Sequence, residues 1–198
     1  MDIFALVKYD LISVEGKALS KEFTDFPKSL YAVDKNYIMP LDVDIEQVFD
    51  PAFNKAFENG ECKRWLLKDH GKTIGRIAAF YSKIENTAVI TGACGFFECI
   101  NSFDAASQLF DSAKHWLIEN KCEYMDGPVN FGDRDSFWGL MVEGFASPSY
   151  RENYNLPYYQ NLFETYGFTP QIGQTTSLIE ISSFNFERFS KLATRVMS

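Results

Sequence analysis

The sequence predicts a mixed α/β protein in which helices cover the faces of a sheet. The strongest observation is a long apolar strand at 87–100 that leads, through a short connection, into an amphipathic helix at 105–120. A second is a predicted hairpin, in which 62–68 and 73–81 flank the turn Asp69-His70-Gly71. The third is the order of the elements, which alternates strands and helices along the chain as layered α/β proteins do.

The N-terminal part of the chain predicts one strand and several helices. Residues 3–9 form an apolar run typical of a strand. Lys17–Tyr31 carries apolar side chains at helical spacing, and Pro27 inside it indicates a kink or two short helices. The rest of this part is irregular, with short helical pieces expected near 45–49 and 52–58.

The sequence of the second hairpin strand predicts that this strand lies at the centre of the sheet. It is apolar on both faces apart from Arg76, as a strand covered on both sides must be. The long strand that follows contains Gly92 and Gly95, which indicate a β-bulge or a close approach of another backbone.

Three helices and two strands are expected in the C-terminal half of the chain. Either Ser102 or Asp104 is suited to cap the helix at 105–120. A short strand is expected at 123–130, then a long aromatic segment at 131–154. The remaining predicted elements are a helix from Pro157 to Gly167, a strand at 175–181 and a helix at 184–197. The apolar stripe of the 105–120 helix comprises Ala106, Leu109, Phe110, Ala113 and Leu117.

Composition narrows the classes of partner. The 198 residues are 46% hydrophobic and 16% aromatic, enough for one domain with a large core. The net charge of −8, without any run of Lys and Arg, argues against nucleic acid and against anionic membrane surfaces. The sequence contains no apolar run of membrane-spanning length and no signal peptide at its start, so a cytoplasmic location is expected.

Cysteine and histidine usage predicts neither disulfides nor a metal. The four cysteines form no C-x-x-C pair, so free and mostly buried thiols are expected. With two histidines in the whole chain, a His-rich metal site is not available.

The order of elements resembles the GNAT superfamily of acyl-CoA N-acyltransferases. The strand and helix at 88–121 carry the resemblance, together with Phe163-Glu-Thr-Tyr-Gly-Phe168, which is similar to the superfamily's tyrosine-x-x-x-Gly-Phe helix ending. The phrases Gly75-Arg-Ile-Ala-Ala79 and Gly127-Pro-Val-Asn130 further resemble a poorly characterised bacterial GNAT-like group with longer chains. The resemblance implies a mixed, mostly antiparallel sheet with helices on both faces.

The expected domain organisation follows from this resemblance. Residues 1–198 form one GNAT-like domain, with a strand and helices at 1–60 and a terminal helix at 182–198. The core at 61–181 carries the aromatic insertion at about 131–154, where many members of the superfamily have a short loop.

The resemblance implies acetyl-CoA or another acyl-CoA as co-substrate and no metal. Main-chain groups near Phe97 and Cys99 would hold the thioester and pantetheine. The pyrophosphate loop of the superfamily, Arg/Gln-x-x-Gly-x-Gly/Ala, falls on six residues here, of which only the last matches. Those residues are Asn101, Ser102, Phe103, Asp104, Ala105 and Ala106. A carboxylate at the fourth position would repel a phosphate unless Asp104 turns back to cap the helix.

Two residues are candidates for proton transfer. Glu98 ends an apolar strand, and a buried carboxyl has a raised pKa that suits a general base acting on an amine. Its structural alternative is an ion pair with Arg76 on the neighbouring strand. The tyrosine that some members use to protonate the CoA thiolate is replaced by Phe163. Tyr159, one turn earlier, or Tyr166 could serve instead.

The predicted acceptor pocket is polar at its base and aromatic at its wall. Polar residues at a strand end commonly line a crevice, although here they also fit a hydrogen-bonded turn. The aromatic insertion could form a pocket wall, a lid or a dimer contact. The predicted pocket residues are Arg76, Asn130, Arg134, Trp138 and Asn155.

Three functional hypotheses remain open. The first is an acyltransferase that moves an acetyl or other acyl group from CoA to an amine of a small molecule or peptide. The second is a catalytically degenerate GNAT-like domain that binds a small ligand or a protein. The third is a docking part of a larger GNAT-like assembly, and a homodimer is compatible with each of them. Asp104 and Phe163 favour the second hypothesis, whereas Glu98 favours the first.

Overall fold

A five-stranded sheet lies at the centre of the described residues, which in this computed structural model are 9–83, 90–133, 135–177, 180, 182 and 186–196. The strands lie in chain order and every neighbouring pair is antiparallel except β4 and β5. The predicted mixed, mostly antiparallel sheet is therefore confirmed. The strands are β1 (Asp10–Ser13), β2 (Gly60–Asp69), β3 (Lys72–Ser82), β4 (Ile90–Cys99) and β5 (Cys122–Asp126).

The hairpin of β2 and β3 fixes the register of the sheet. Its two-residue turn places His70 and Gly71 at φ angles of 47° and 81°, the left-handed pair that matches the twist of a hairpin. β3 is the central strand and is buried from Ile74 to Tyr81. Pairing of β3 with β4 sets Arg76 opposite Glu98 on one face of the sheet.

β4 contains a β-bulge shortly before its C-terminal end. The register shifts between Arg76 and Ala78, and Phe96 has a φ of 49°. Gly95 also lies so close to the chain after β5 that a Cβ there would be 1.9 Å from the Val129 carbonyl oxygen. The sequence predicted a bulge or a close approach in this strand, and the structure contains both.

Helices cover both faces of the sheet, as predicted. α1 (Gly16–Leu30) and α2 (Asp42–Val48) pack on the face that carries Leu66, Ala78 and Phe80. α3 (Phe103–Glu119) and α4 (Tyr159–Tyr166) pack on the opposite face. A short 3-10 helix, Lys55–Glu58, precedes β2. The predicted apolar stripe of α3 is confirmed, because all five of its side chains are buried.

Several boundaries differ from the sequence predictions. The strand predicted at 3–9 lies outside the described residues except for Tyr9, and β1 follows it at 10–13. Pro27 does not divide α1, because it lies in the last turn and its missing N–H frees only one carbonyl. α4 begins at Tyr159 instead of Pro157. Residues 175–177 and 180 belong to no strand, and the rest of the strand predicted at 175–181 lies outside the described residues.

The chain divides into two units, Met1–Phe168 and Thr169–Ser198. The first contains the sheet and α1–α4, and the second contains α5 (Phe186–Val196), which confirms the helix predicted at the end of the sequence. In the part of the chain that the structure describes, no helix has the length and apolar character needed to cross a membrane.

Candidate active site

Pro27 leaves one carbonyl of α1 without its helical hydrogen bond, and this carbonyl binds an arginine of β3. A residue four positions after Phe23 would normally donate its N–H to the Phe23 carbonyl, but Pro27 has none. Arg76 fills the vacancy, because its Nη1 donates to the Phe23 oxygen at 2.5 Å. The guanidinium carbon also lies 4.8 Å from the centre of the Phe23 ring. Arg76 is 5% exposed, so these contacts hold a buried cation in a fixed orientation.

Glu98 is surrounded by donors from three elements. Its Oε2 accepts hydrogen bonds from the Tyr31 hydroxyl at 2.6 Å and from the Tyr159 hydroxyl at 2.7 Å. Its Oε1 lies 3.6 Å from Nη2 of Arg76, an ion pair longer than a hydrogen bond. The register of β3 and β4 brings the arginine, the end of α1 brings Tyr31, and the start of α4 brings Tyr159. The predicted base and the predicted acid are therefore in direct contact.

Burial sets the protonation of this cluster. Burial raises the pKa of the Glu98 carboxyl, while Arg76 and the two phenols act in the opposite direction. Burial also raises the pKa of Tyr31 and of Tyr159 well above the usual range, and the negative charge of Glu98 adds to that rise. Both tyrosines therefore keep their protons at neutral pH and donate them toward Glu98.

The free edge of β4 after its bulge is covered by two consecutive tyrosines. The Cys99 N–H donates to the Tyr159 hydroxyl at 2.9 Å, and the Cys99 carbonyl accepts from the Tyr158 hydroxyl at 2.7 Å. The backbone of Cys99, predicted to contact the co-substrate, is thus hydrogen bonded within the protein. Burial raises the pKa of the Cys99 thiol to about 12, so this thiol stays protonated and is a poor nucleophile.

A cavity of about 50 Å³ lies beside Glu98, with room for a few water molecules. Arg76, Glu98 and Tyr159 form its polar end. The other walls come from α1, α2 and the segment before α2, the bulge of β4 and the aromatic insertion. They combine apolar and aromatic side chains with the polar Thr24, Glu152, Asn153 and Asn155. The apolar and aromatic lining residues include Tyr37, Ile38, Met39, Pro40, Ile45, Phe96, Phe97, Pro128, Phe137, Leu140, Tyr154 and Phe163.

Side-chain hydrogen bonds connect the aromatic insertion to α2 and to the segment before it. The Tyr154 hydroxyl donates to Asp34 at 2.8 Å. Asp44 accepts from the Tyr150 hydroxyl at 2.9 Å and from Arg151 at 2.7 Å, and this pairing with Arg151 lowers the pKa of Asp44. The insertion is thus fixed as one wall of the cavity, which makes it part of the site.

The predicted pocket residues differ in whether they line the cavity. Arg76 and Asn155 line the cavity, but all the Asn155 contacts that we observe are internal, including 2.7 Å and 3.0 Å bonds to the backbone of Met141. Asn130 and Trp138 do not line it, and the Asn130 side chain accepts from the Phe131 N–H. Arg134 lies outside the described residues.

The start of α3 settles which residue caps the helix. Ser102 accepts from the Ala105 N–H at 3.3 Å, so the cap is the serine. The Asp104 carboxylate is exposed in the first turn and has no hydrogen-bond partner in the described part of the chain. Ala105 and Ala106 are fully buried against the sheet, so their methyl groups face the core. Asn101 and Phe103 are exposed beside them.

The sequence analysis did not identify Tyr31 as part of the site. Tyr31 is 2% exposed, stacks on Tyr37 at 4.0 Å and makes the shortest hydrogen bond to Glu98. It lies 67 positions away from Glu98, so no local spacing connects the two. The available signal was a tyrosine directly after the apolar stripe of a helix, which alone is typical of core packing.

Comparison with known proteins places these observations in context. The chain is 30% identical over 130 residues to protein YghO of Escherichia coli, a match that covers 65% of the chain and 33% of that protein. It is 29% identical over 141 residues to a bacterial ceramide synthase of Caulobacter vibrioides, covering 70% of the chain and 36% of that protein. The chain thus spans about a third of the length of these relatives. No family model matches the sequence.

The structural comparison identifies the fold. A predicted acetyltransferase from Clostridium acetobutylicum, solved with acetyl-CoA, superimposes with a TM-score of 0.51 at 10% identity, covering 86% of this chain and 95% of that one. At such low identity the match speaks for the fold alone. Together with the five-stranded sheet, the bulged β4 and the helix after it, this match shows that the chain has the GNAT, or acyl-CoA N-acyltransferase, fold.

Proposed function

We propose that this chain forms an N-acyltransferase site that moves an acyl group from CoA to an amine. The observation that carries the proposal is the 2.7 Å hydrogen bond between Tyr159 and Glu98 at the polar end of the cavity. A carboxyl with a raised pKa can accept a proton from an amine, and a neighbouring phenol can supply one to a leaving group. The two groups that such a reaction needs are therefore already joined.

The proposed step balances its protons within this pair. The amine nitrogen attacks the thioester carbonyl carbon, the C–N bond forms, and the amine proton passes to the Glu98 carboxylate. The C–S bond breaks, and the departing thiolate takes the phenolic proton of Tyr159 while the protonated Glu98 passes its proton to the Tyr159 oxygen through their hydrogen bond, so that no phenolate forms. The products are an amide and free CoA, and both side chains regain their starting states.

The acceptor amine is proposed to carry a hydrocarbon chain, of which only the carbons next to the nitrogen would lie in the cavity of about 50 Å³. Away from Arg76 and Glu98, apolar and aromatic side chains such as Ile38, Met39 and Phe137 form one part of the cavity lining. Pockets of this kind bind the apolar part of a ligand, while a few polar groups fix its orientation. The 29% identity with a ceramide synthase supports the same class, because a ceramide is an amide of a long-chain amino alcohol.

The start of α3 is the proposed binding site of the CoA pyrophosphate. The groups present there favour an anion only in part. The N–H groups of Phe103 and Asp104 have no partner among the described residues, and a helix N-terminus favours an anion. The exposed Asp104 carboxylate opposes that anion, and 101–106 contains no Lys or Arg. We therefore expect CoA to be held weakly at this end.

Replacing Asp104 by asparagine should tighten the binding of acetyl-CoA severalfold. The change removes one negative charge at the helix N-terminus while Ser102 keeps the cap. Calorimetry at low and at high salt gives the measurement, because screening should shrink the gain. Asp111→Asn on the same helix is the charge-matched control. Equal affinities of the Asp104 variant and the wild type would place the pyrophosphate elsewhere.

A non-catalytic binding domain is the second candidate. The hydrogen bonds from Tyr158 and Tyr159 to the Cys99 backbone favour it, since they occupy main-chain groups that the co-substrate was expected to contact. In that case a ligand would still enter the cavity beside Glu98, but no acyl group would be transferred.

A melting scan combined with product detection tests the proposed function. Acetyl-CoA and long-chain acyl-CoAs are added separately, and a ligand at about 100 times its Kd should stabilise the protein by about 2.7 kcal/mol. Mass spectrometry then searches for the amide after a long-chain amine is added. A melting shift without any amide would favour the binding domain, and the absence of a shift with every acyl-CoA would contradict both the acyltransferase proposal and its co-substrate.

A further inference from the structure

We infer that Arg76 is a second contact for the acceptor, and that it binds an uncharged oxygen on the carbon next to the amine. This assignment rests on the proposed function and narrows its substrate class. The acceptor would be an amine with a neighbouring hydroxyl or carbonyl group, as in a long-chain amino alcohol. Glu98 would take the nitrogen and Arg76 the oxygen.

The hydrogen-bond inventory of Arg76 is incomplete. A guanidinium has five N–H donors. Nη1 uses one on the Phe23 carbonyl. Nη2 approaches Glu98 no closer than 3.6 Å, and the buried Nε has no hydrogen-bond partner among the described residues. An arginine that is 5% exposed therefore keeps unpaired donors beside a cavity that it lines.

Unpaired buried donors are rare because they lose their bonds to water without replacement. The contacts of Arg76 with Phe23 and Glu98 hold the group rigidly, so the donors cannot turn toward other partners in the protein. A ligand oxygen in the cavity would accept from Nη2, which makes only the long contact with Glu98, whereas the buried Nε is closed to solvent. Such a preformed group discriminates strongly between ligands with and without the matching oxygen.

The position of Glu98 sets the chemistry of that oxygen. Arg76 and Glu98 face each other across β3 and β4, so a ligand with nitrogen and oxygen on adjacent carbons can reach both. A carboxylate on the ligand would bring a second negative charge next to Glu98, whose own charge already pairs with Arg76. A neutral hydroxyl or carbonyl accepts from the guanidinium without that repulsion.

The test compares two ligands on the unaltered chain. Dodecylamine and the amino alcohol of the same length, with its hydroxyl on the neighbouring carbon, are titrated by calorimetry without acyl-CoA. We expect the amino alcohol to bind about tenfold more tightly or better, as for a hydrogen bond to a charged group. Equal affinities, or no binding of either compound, would overturn the assignment.

A variant pair then locates the effect. Arg76→Lys keeps the charge but removes the planar pair of Nη1 and Nη2 donors, and should abolish the preference for the amino alcohol while dodecylamine still binds. Arg64→Lys is the matched control, because Arg64 also stacks on Phe23, at 5.3 Å, but does not line the cavity. A preference that survives in Arg76→Lys would show that another group recognises the oxygen.

The binding measurements separate this inference from the proposed function. If the amino alcohol binds preferentially but is never acylated, the acyltransferase proposal is wrong and the role of Arg76 stands. If both amines bind with equal affinity and both are acylated, the acyltransferase proposal stands and the proposed role of Arg76 is wrong.

Discussion

Replacing Glu98 by glutamine should lower kcat for amide formation by about a hundredfold to ten-thousandfold, the usual contribution of a general base. Glutamine keeps the size of the side chain and can still accept from Tyr31 and Tyr159, but it cannot take a proton from the amine. Steady-state kinetics with a saturating acyl-CoA and amine provide the measurement. The affinity for acyl-CoA should change little, because Glu98 is proposed to contact the acceptor amine and not the CoA.

The pH profile gives an independent signature of the same group. Glu98 acts as a base only when it is ionised, so the rate should fall as the pH drops through its pKa in the folded protein. Because burial raises that pKa, the acidic limb of the profile should lie above the ordinary glutamate range. In the Glu98→Gln variant this limb should disappear from whatever rate remains.

Two controls separate chemistry from folding. Glu164→Gln changes an exposed glutamate on α4 that contacts Gln160, and it should leave kcat unchanged. Tyr159→Phe removes the proposed acid and should slow turnover, whereas Tyr166→Phe should not, because Tyr166 donates to Asp111 on α3. Unchanged rates in both Glu98→Gln and Tyr159→Phe would remove the proposed roles of this pair.

Replacing Phe110 by alanine should reduce the free energy of unfolding by about 3–5 kcal/mol, the usual cost of deleting a buried phenylalanine. Phe110 is fully buried and stacks on Phe97 of β4 at 4.6 Å. Its ring also meets Phe163 and Tyr166 of α4 at 4.8 Å. The deleted ring would thus leave a new void between α3, α4 and the end of β4. Urea unfolding followed by circular dichroism gives the measurement.

A substitution on the exposed side of the same helix provides the control. Ile118 is 56% exposed, so Ile118→Ala should change the free energy of unfolding by no more than about 0.5 kcal/mol. Phe110→Ala should also loosen α4, which carries Tyr159, and thereby weaken turnover at temperatures below the unfolding transition. A cost for Phe110→Ala as small as that of Ile118→Ala would contradict the packing described here.

Local patterns in the sequence predicted most of the fold because each pattern has one local physical cause. The His70-Gly71 turn follows from residues that tolerate left-handed backbone angles, and it fixes the hairpin. The α3 stripe follows from helical spacing, and Gly167 ends α4 at a φ of 116°. The differences fall on elements with weak local signals: β1 at 10–13 was not predicted, and α4 begins two residues after the expected Pro157.

The candidate site was predicted less completely because it depends on distant contacts. Glu98 and Tyr159 were found separately, one as a carboxylate in an apolar strand and the other through a family resemblance. Their contact depends on where α4 packs against β4, which no spacing reveals. Tyr31 was missed for the same reason. Asn130 was assigned to the pocket because of its place after a strand, although it does not line the cavity and its side chain accepts from the Phe131 N–H.

The sequence by itself determined the GNAT-like order of strands and helices, the apolar faces of those elements and the presence of a carboxylate at the end of β4. The tertiary structure decided what surrounds that carboxylate. Pro27 leaves the Phe23 carbonyl free, Arg76 binds it, and the guanidinium then lies opposite Glu98. Because these contacts join residues far apart in the chain, only the packing of α1 and α4 against the sheet could show them.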